Sequence, residues 1–317
     1  MSDPDVPKWF LDLAARNPGT RSLTESALRE RFGEPSEIEL EHGQVWRAGW
    51  GDMAVLLLVL ELGEGEVRAS PVTIDPPAED ENSFVLTSDL TAFPAPATVW
   101  TGLTRSVPQR VLDIVVAAWS MDVTTCLMNP ASLEPGARLP VGVRRGRSIA
   151  SDFDDRSMIR ADLEDDVDQL GQMPGLPVES PVSPSVTLAA VLGEVDLAAL
   201  CVALDLSQAA VMKLLRGTTA LTASQAVVVA RATGIPEEQI LSAVRSMPRD
   251  LVQAAEHPRW RQVWIARAQR LGTDETQARL DGCQQALALA ARQTGGSQTD
   301  WDARLRRALN GEEGAPR

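Results

Sequence analysis

The apolar residues of this chain change their period partway along, and no single kind of secondary structure can satisfy both halves. Between Gly43 and about Val116, short apolar runs alternate with turn-forming residues. From Val186 onward, apolar residues recur at three- and four-residue spacing. The first pattern predicts strands and the second predicts helices. With 317 residues the chain is long enough for at least two domains. The expected class is therefore α+β and multidomain: a small β-barrel or sharply bent sheet near the N-terminus, and an all-α domain at the C-terminus.

In the first half, Gln44–Ala48 and Met53–Leu62 read as strands joined by a tight turn at Gly49-Trp50-Gly51-Asp52. Gly63-Glu64-Gly65-Glu66 is the next turn. Val67–Ile74 is a third strand, stopped by Asp75-Pro76-Pro77, and Asn82–Thr87 and Thr98–Gly102 make shorter ones. Residues 8–33 predict a helix whose later turns are capped by Ser22 or Thr24 and closed by Gly33 and Pro35. Pro108–Trp119 is expected to be a helix, with Pro108 near its first turn. Ser151–Asp168 is strongly acidic and Met173–Ser185 holds four prolines, so residues 149–187 are expected to form a mobile linker. The implied layout is an N-terminal helical segment (1–42), a barrel-like domain (43–148), the linker (149–187), a helical domain (188–246) and a helical extension (247–310).

Charge follows the same division. Residues 191–317 carry 15 Lys+Arg and 14 Asp+Glu; the totals of 30 and 44 leave residues 1–190 with 15 basic and 30 acidic side chains, a net of −15. The first half should repel polyanions and offer an acidic surface to a protein partner, so any nucleic-acid contact belongs to the second. The cluster Arg144, Arg145 and Arg147 is expected to pair with the acidic run Asp152–Asp155. That run has neither the bend glycine nor the distal glutamate of a calcium loop. The three cysteines (Cys126, Cys201, Cys283) are far apart and odd in number, which predicts a reducing, cytoplasmic setting. Neither His42 nor His257 has a Cys or His at ligand spacing, so no zinc site of His and Cys is expected; with no Walker glycine loop and no Gly-x-Gly-x-x-Gly after a strand, no cofactor is expected either. The longest apolar run, Met53–Leu60, falls well short of the roughly 20 residues of a membrane span, and the N-terminus lacks the features of a secretory signal.

The most informative motif is Asp196–Gly217, DLAALCVALDLSQAAVMKLLRG. Two short helices meeting steeply need small residues at the approach, for which Cys201 and Ala203 are available. The turn needs a residue that tolerates a left-handed backbone, and Asp205 sits there. Ser207 is the expected cap of the second helix, and Val211, Leu214 and Leu215 are expected to pack with Leu200, Leu204 and Leu206. The outer face of that helix is left with Gln208, Ala209, Met212, Lys213 and Arg216. Such a face suits a DNA major groove: Gln bonds adenine in a bidentate way, Ala touches a thymine methyl, and Lys and Arg reach guanine or phosphate.

This segment resembles the Cro/repressor-type helix-turn-helix family, and looks closest to the HigA-like antitoxin branch because of the following Arg216–Ile235 stretch. In that family a glycine ends the recognition helix and a capped helix packs behind it; here Gly217 and Thr222 match, while Asp205 stands where the family usually has Gly. The resemblance spans about residues 188–246 and implies double-stranded DNA as partner, bound as a homodimer. Gln208, Ala209 and Lys213 would read bases; Ser207, Arg216 and Thr218 would hold phosphates.

Residues 43–116 weakly resemble the MazF/PemK toxin family through Gly43–Ala48, Val55–Leu60, Ala69–Thr73, Ala97–Trp100 and Val107–Leu112. That resemblance implies a small SH3-like barrel. Its ribonuclease chemistry would need an Arg in the first strand-connecting loop and a Thr at the end of the third strand. Thr73 fits the second position, but Gly49–Met53 contains no Arg and Arg47 lies in the strand before it. Without that fixed cation no phosphorane-like transition state is stabilised, so no catalytic residue is assigned. The expected function is thus a DNA-binding transcriptional regulator, antitoxin-like, with a non-catalytic N-terminal domain for sensing or partner binding. Its rivals are a MazF-like endoribonuclease fused to its own regulatory domain and a protein-interaction scaffold. In the C-terminal extension, Trp260, Val263, Trp264, Ala268 and Leu271 fall at helical spacing and are expected to form core or a dimer seam.

Overall fold

A computed structural model describes residues 24–74, 78–91, 93–134, 136–151, 154–178, 188–193, 195–216, 221, 223–243, 247–291 and 300–310. The chain divides into two compact units, one drawn from Met1–Met173 with Pro258–Gln262, the other from Pro174–His257 with Val263–Arg317.

The first unit opens with helix α1 (Glu25–Phe32), whose N-cap Thr24 accepts from the Ala27 N–H. The rest of the expected 8–33 helix, including Ser22, lies outside the described residues. Strands β1 (Gln44–Trp50), β2 (Met53–Leu62) and β3 (Glu66–Thr73) form an antiparallel meander, with Val45 opposite Leu58 and Leu58 opposite Ser70. The β1–β2 hairpin turns on Gly51 and Asp52, and Gly51 supplies the positive φ (58°) that the turn needs. Strands β4 (Phe84–Leu86), β5 (Ala97–Val99), β6 (Arg105–Pro108) and β7 (Leu112–Ala118) follow, then helix α2 (Met121–Met128), strand β8 (Val143–Arg145) and helix α3 (Asp155–Gly171).

Among the described residues these eight strands make one antiparallel sheet, ordered β7-β1-β2-β3-β5-β4-β8. It forks at β3, where residues 66–69 pair with β6 and residues 72–73 pair with β5. Both faces of the sheet are covered. Trp46, Leu57, Val59 and Val115 point to one core, which α3 closes with Leu163, Val167 and Leu170. Val45, Leu58, Leu60, Val72 and Phe84 point to the other, which α1 and α2 close with Leu28, Val123 and Leu127. Burial on both sides explains why β2 is a nearly unbroken apolar run.

Two expectations fail here. Pro108–Trp119 is not a helix: after one 3-10 turn at Gln109–Val111 the chain enters β7, which pairs with β1. The β-branched run Ile114-Val115-Val116 favours the extended form, and a proline before it does not change that. Nor is 149–187 a mobile linker throughout, because α3 occupies its middle. Asp154 caps α3 by accepting from the Arg156 N–H, and Ile159, Leu163, Val167 and Leu170 line one face while Asp162, Asp165 and Asp168 point to solvent. Burying three such aliphatic side chains contributes on the order of 5 kcal/mol, enough to hold a helix whose other face is acidic. The prolines at 181 and 184 lie outside the described residues.

The second unit is helical. Helices α4 (Leu188–Leu192), α5 (Leu197–Leu204), α6 (Gln208–Leu215), α7 (Ala223–Thr233) and α8 (Glu237–Ser242) share a core of Leu188, Leu200, Val211, Leu214, Val229 and Ile240. Helices α9 (Arg249–Glu256), α10 (Arg261–Leu271), α11 (Glu275–Ala291) and α12 (Trp301–Asn310) follow; the first two residues of α10 belong to the first unit. α12 packs on α9 and α11. Of the apolar stripe expected in this stretch, Trp260, Trp264 and Ala268 are buried, whereas Leu271 is 46% exposed at the C-terminus of α10. No single described helix is long and apolar enough to cross a membrane.

Candidate nucleic-acid interface

Helices α5 and α6 are each eight residues long and are joined by three residues, Asp205-Leu206-Ser207. Their axes turn through 104°. The turn rests on Asp205, the one non-glycine among the described residues with a positive φ (φ 52°, ψ 42°). Its N–H bonds the Cys201 and Val202 carbonyls, and the Leu206 N–H donates to the Cys201 carbonyl at 3.1 Å. These bonds satisfy the last carbonyls of α5 and send the chain off at a steep angle. An L-residue in this region costs about 1–2 kcal/mol when it is β-branched, and less for Asp. Asp205→Val is therefore expected to destabilise the second unit by about 1–2 kcal/mol, while Asp205→Gly should stay within about 1 kcal/mol of the parent. Thermal denaturation of the two variants checks this.

Both helices begin with side-chain caps. Asp196 accepts from the Ala198 and Ala199 N–H groups at 2.9 and 3.3 Å, and Ser207 accepts from the Ala210 N–H at 3.3 Å. Val211 and Leu214 are buried, and Leu204, Leu206 and Leu215 pack against the same core. Cys201 joins that core, but Ala203 is exposed and takes no part in the close approach.

Of the six residues singled out for DNA, Ser207, Gln208, Ala209, Lys213 and Arg216 are all exposed, on one short helix and its cap. Met212 beside them is half-buried. Thr218 lies outside the described residues, as does the expected cap Thr222. The ridge combines an amide, a methyl and two cations, which is the donor and apolar set that reads base edges. Its electrostatics are modest: residues 194–246 carry four basic and five acidic side chains, a net of −1. The outer face of α5 is uncharged, made of Ala198, Ala199, Val202 and Ala203, with Val202 83% exposed.

Thr73 and Arg47, the two residues weighed for ribonuclease chemistry, are engaged in structural bonds. The Thr73 hydroxyl accepts from Trp100 Nε1 at 3.1 Å, and Arg47 Nε donates to the buried Asp113 carboxylate at 2.8 Å. Cys283 is fully buried, and burial pushes its thiol up to about 12, which leaves no nucleophilic thiolate at neutral pH. Among the described residues no group of three or more His, Cys, Asp or Glu is placed to hold a metal ion.

A second polar cluster has no signature in the local sequence. Glu79 and Asp80 are buried at 1% and 3% exposure. Glu79 takes ion pairs from Arg144 and from Arg147, the latter at 2.6 Å, and Asp80 takes one from Arg160 Nε on α3 at 3.2 Å. Asp152 lies outside the described residues; among the described ones the expected pairing of the arginine cluster with Asp152–Asp155 is corrected, since Arg144 and Arg147 pair with Glu79, 65 residues upstream of Arg144, Arg145 donates to the carbonyls of Ser132 and Ala137, and Asp154 pairs with Arg156. Burial pushes the Glu79 carboxyl up, but hydrogen bonds and charge from the two guanidiniums outweigh it and hold it below the usual carboxylate range. Burial raises Asp80; its neighbour Glu81 adds to the shift, and the Asn82 N–H and Arg160 offset it only in part. A buried acid of this kind announces itself by no local spacing, since its partners come from β8 and α3.

A comparison with protein-family models finds no match for the chain, and neither does a search of curated proteins.

Proposed function

We propose that the second unit is a helix-turn-helix domain that binds double-stranded DNA through α6, and that the protein is a cytoplasmic, antitoxin-like transcriptional regulator acting as a homodimer. The observation that carries this reading is the pair of short helices set 104° apart by the left-handed Asp205, with Gln208, Ala209, Lys213 and Arg216 exposed on the second. DNA-reading helix pairs are joined by three or four residues at about 90–120°. A single such domain reads few base pairs, which is why a dimer is part of the proposal. Two cations and a net charge near zero imply weak non-specific affinity and a shallow salt dependence.

The first unit is read as a sensing or partner-binding domain related to the small SH3-like barrels of the MazF/PemK type. What supports this is the antiparallel β1–β2–β3 meander with β7 paired to β1 at its edge. The engagement of Thr73 by Trp100 and the lack of an Arg in the β1–β2 turn speak against ribonuclease activity. A second reading, an interaction scaffold that contacts another polypeptide, is favoured by the uncharged outer face of α5 with its 83%-exposed Val202. Gel-shift of the full chain on the DNA upstream of its own coding sequence, with Lys213→Ala alongside, separates the two.

A further inference from the structure

Beside the buried Glu79–Asp80 pair, a half-open cavity of about 390 Å³ is lined by Asp80, Glu81, Asn82, Ser151, Ser157 and Arg160, with Ile149 and Ala150 as its apolar part. Its size falls within the range of small-molecule sites. One wall is a loop tied by its own hydrogen bonds. Asp80 accepts from the Asn82 N–H at 3.0 Å, and the Ser83 hydroxyl both accepts from the Asp80 N–H at 3.0 Å and donates to the Asp80 carbonyl at 2.8 Å. Gly146 presses against this loop so closely that a Cβ there would lie 2.1 Å from the Asp80 carbonyl oxygen. The other wall is the entry to α3, where the Ser157 hydroxyl donates to the Ser151 carbonyl at 3.1 Å and Arg160 faces inward to Asp80.

The charges of this cavity select against simple ions. Two carboxylates, Asp80 and Glu81, repel an anion; the Arg160 guanidinium repels a metal cation. Asp80 is engaged by Arg160 and by the Asn82 N–H, whereas the exposed Glu81 carboxylate makes no ion pair or hydrogen bond among the described residues. Arg160 is 40% exposed; its Nε reaches Asp80 at 3.2 Å and its Nη1 lies 3.9 Å from Glu164, and a planar fork of five donors has more to offer than these two pairs use. The lining thus offers a carboxylate with no ion pair among the described residues and a part-exposed guanidinium with donors to spare, with hydroxyl and amide groups beside them and a small apolar patch.

We infer that this cavity binds a small zwitterion of the free α-amino-acid class, its ammonium on Glu81 and its carboxylate on Arg160. The raised pKa of Asp80 agrees, because a second cation beside that buried acid relieves a charge which Arg160 alone does not balance. The inference names the ligand class for the sensing role proposed for the first unit, and it stands apart from DNA binding because it is read without DNA.

The experiment uses the full chain with L-serine, L-glutamine and L-leucine as separate probes, each titrated to about 10 mM, a range that reaches weak millimolar sites, with binding followed by saturation-transfer NMR and calorimetry. At least one probe should bind saturably. Its N-acetyl and its carboxamide derivatives should each bind at least about tenfold more weakly, since each loses one charged hydrogen bond. Glu81→Gln removes an exposed charge that supports no structural bond, so it should leave the melting temperature in place and weaken the same probe at least about tenfold. No saturable binding by any of the three overturns the inference. So does binding that N-acetylation, amidation or Glu81→Gln leaves unchanged.

Discussion

Replacing Glu79 with Gln is expected to destabilise the first unit by about 2–4 kcal/mol at neutral pH, one of the largest effects of any single change in that unit. The side chain is 1% exposed and joins the loop before β4 to Arg144 on β8 and to Arg147 just beyond it. Gln keeps the shape but not the charge, and its NH2 group faces a guanidinium in place of an acceptor. The two arginine side chains are 51% and 69% exposed, so they can turn to water, which keeps the loss below that of a wholly buried pair. Calorimetry, resolving the transition of the first unit, should show it shifted down by roughly 5–12 °C. The pH dependence has a definite sign. Glu79 is held below its ordinary range in the folded chain, so its contribution is complete above that range and is lost as the pH falls through the lowered value. The gap between parent and Glu79→Gln should therefore narrow on acidification. Asp80 works in the opposite sense: its raised pKa means that its protonation favours the folded form as the pH falls, which partly offsets the acid loss from Glu79.

Trp264→Ala is expected to cost the second unit about 3–5 kcal/mol. The ring is fully buried, its Nε1 donates to the Ala255 carbonyl of α9 at 2.8 Å, and its far edge lies where Gly282 of α11 leaves room. A Cβ at Gly282 would stand 2.5 Å from ring carbon Cζ3, so only glycine lets α11 come this close to α10. Removing the indole both opens a cavity and strands a carbonyl in the interior. Trp264→Phe, which refills most of the space without the donor, should recover more than half of the loss. Chemical denaturation of the three proteins checks the ranking; an Ala variant within 1 kcal/mol of the parent would mean that the indole is not the joint between α9, α10 and α11.

Local signals carried the sequence reading wherever structure is made locally. Met53–Leu62 was legible to the residue because turn residues bound it on both sides, and the β1–β2 hairpin follows from Gly51. The α5–α6 pair was legible because caps and a left-handed turn are written in single residues: Asp196, Asp205 and Ser207 each do what their chemistry favours. Long-range pairing was not legible. Composition hid α3: its acids read as a solvated run, while Leu163, Val167 and Leu170 needed a sheet face to become a core. Leu112–Ala118 became a strand because β1 stood ready to pair with it. The Glu79 cluster was invisible for the same reason, as nothing near residue 79 in the chain announces Arg144, Arg147 or Arg160.

The proposed DNA binding by this protein depends on the ridge of α6. Its most direct test is the binding of the full chain to a duplex carrying the DNA upstream of its own coding sequence, titrated against salt, with Gln208→Ala and Lys213→Ala compared with the parent. The account predicts a retarded complex whose affinity falls with salt. Gln208→Ala should lose roughly 5- to 100-fold on that duplex and little on unrelated DNA, as expected of a base contact. Lys213→Ala should weaken binding and reduce the salt slope by about one if it meets a phosphate, or relax specificity if it meets a base. Absence of any complex on that duplex even at low salt, or affinity that neither substitution changes, would contradict the account and leave the uncharged face of α5 as the working surface.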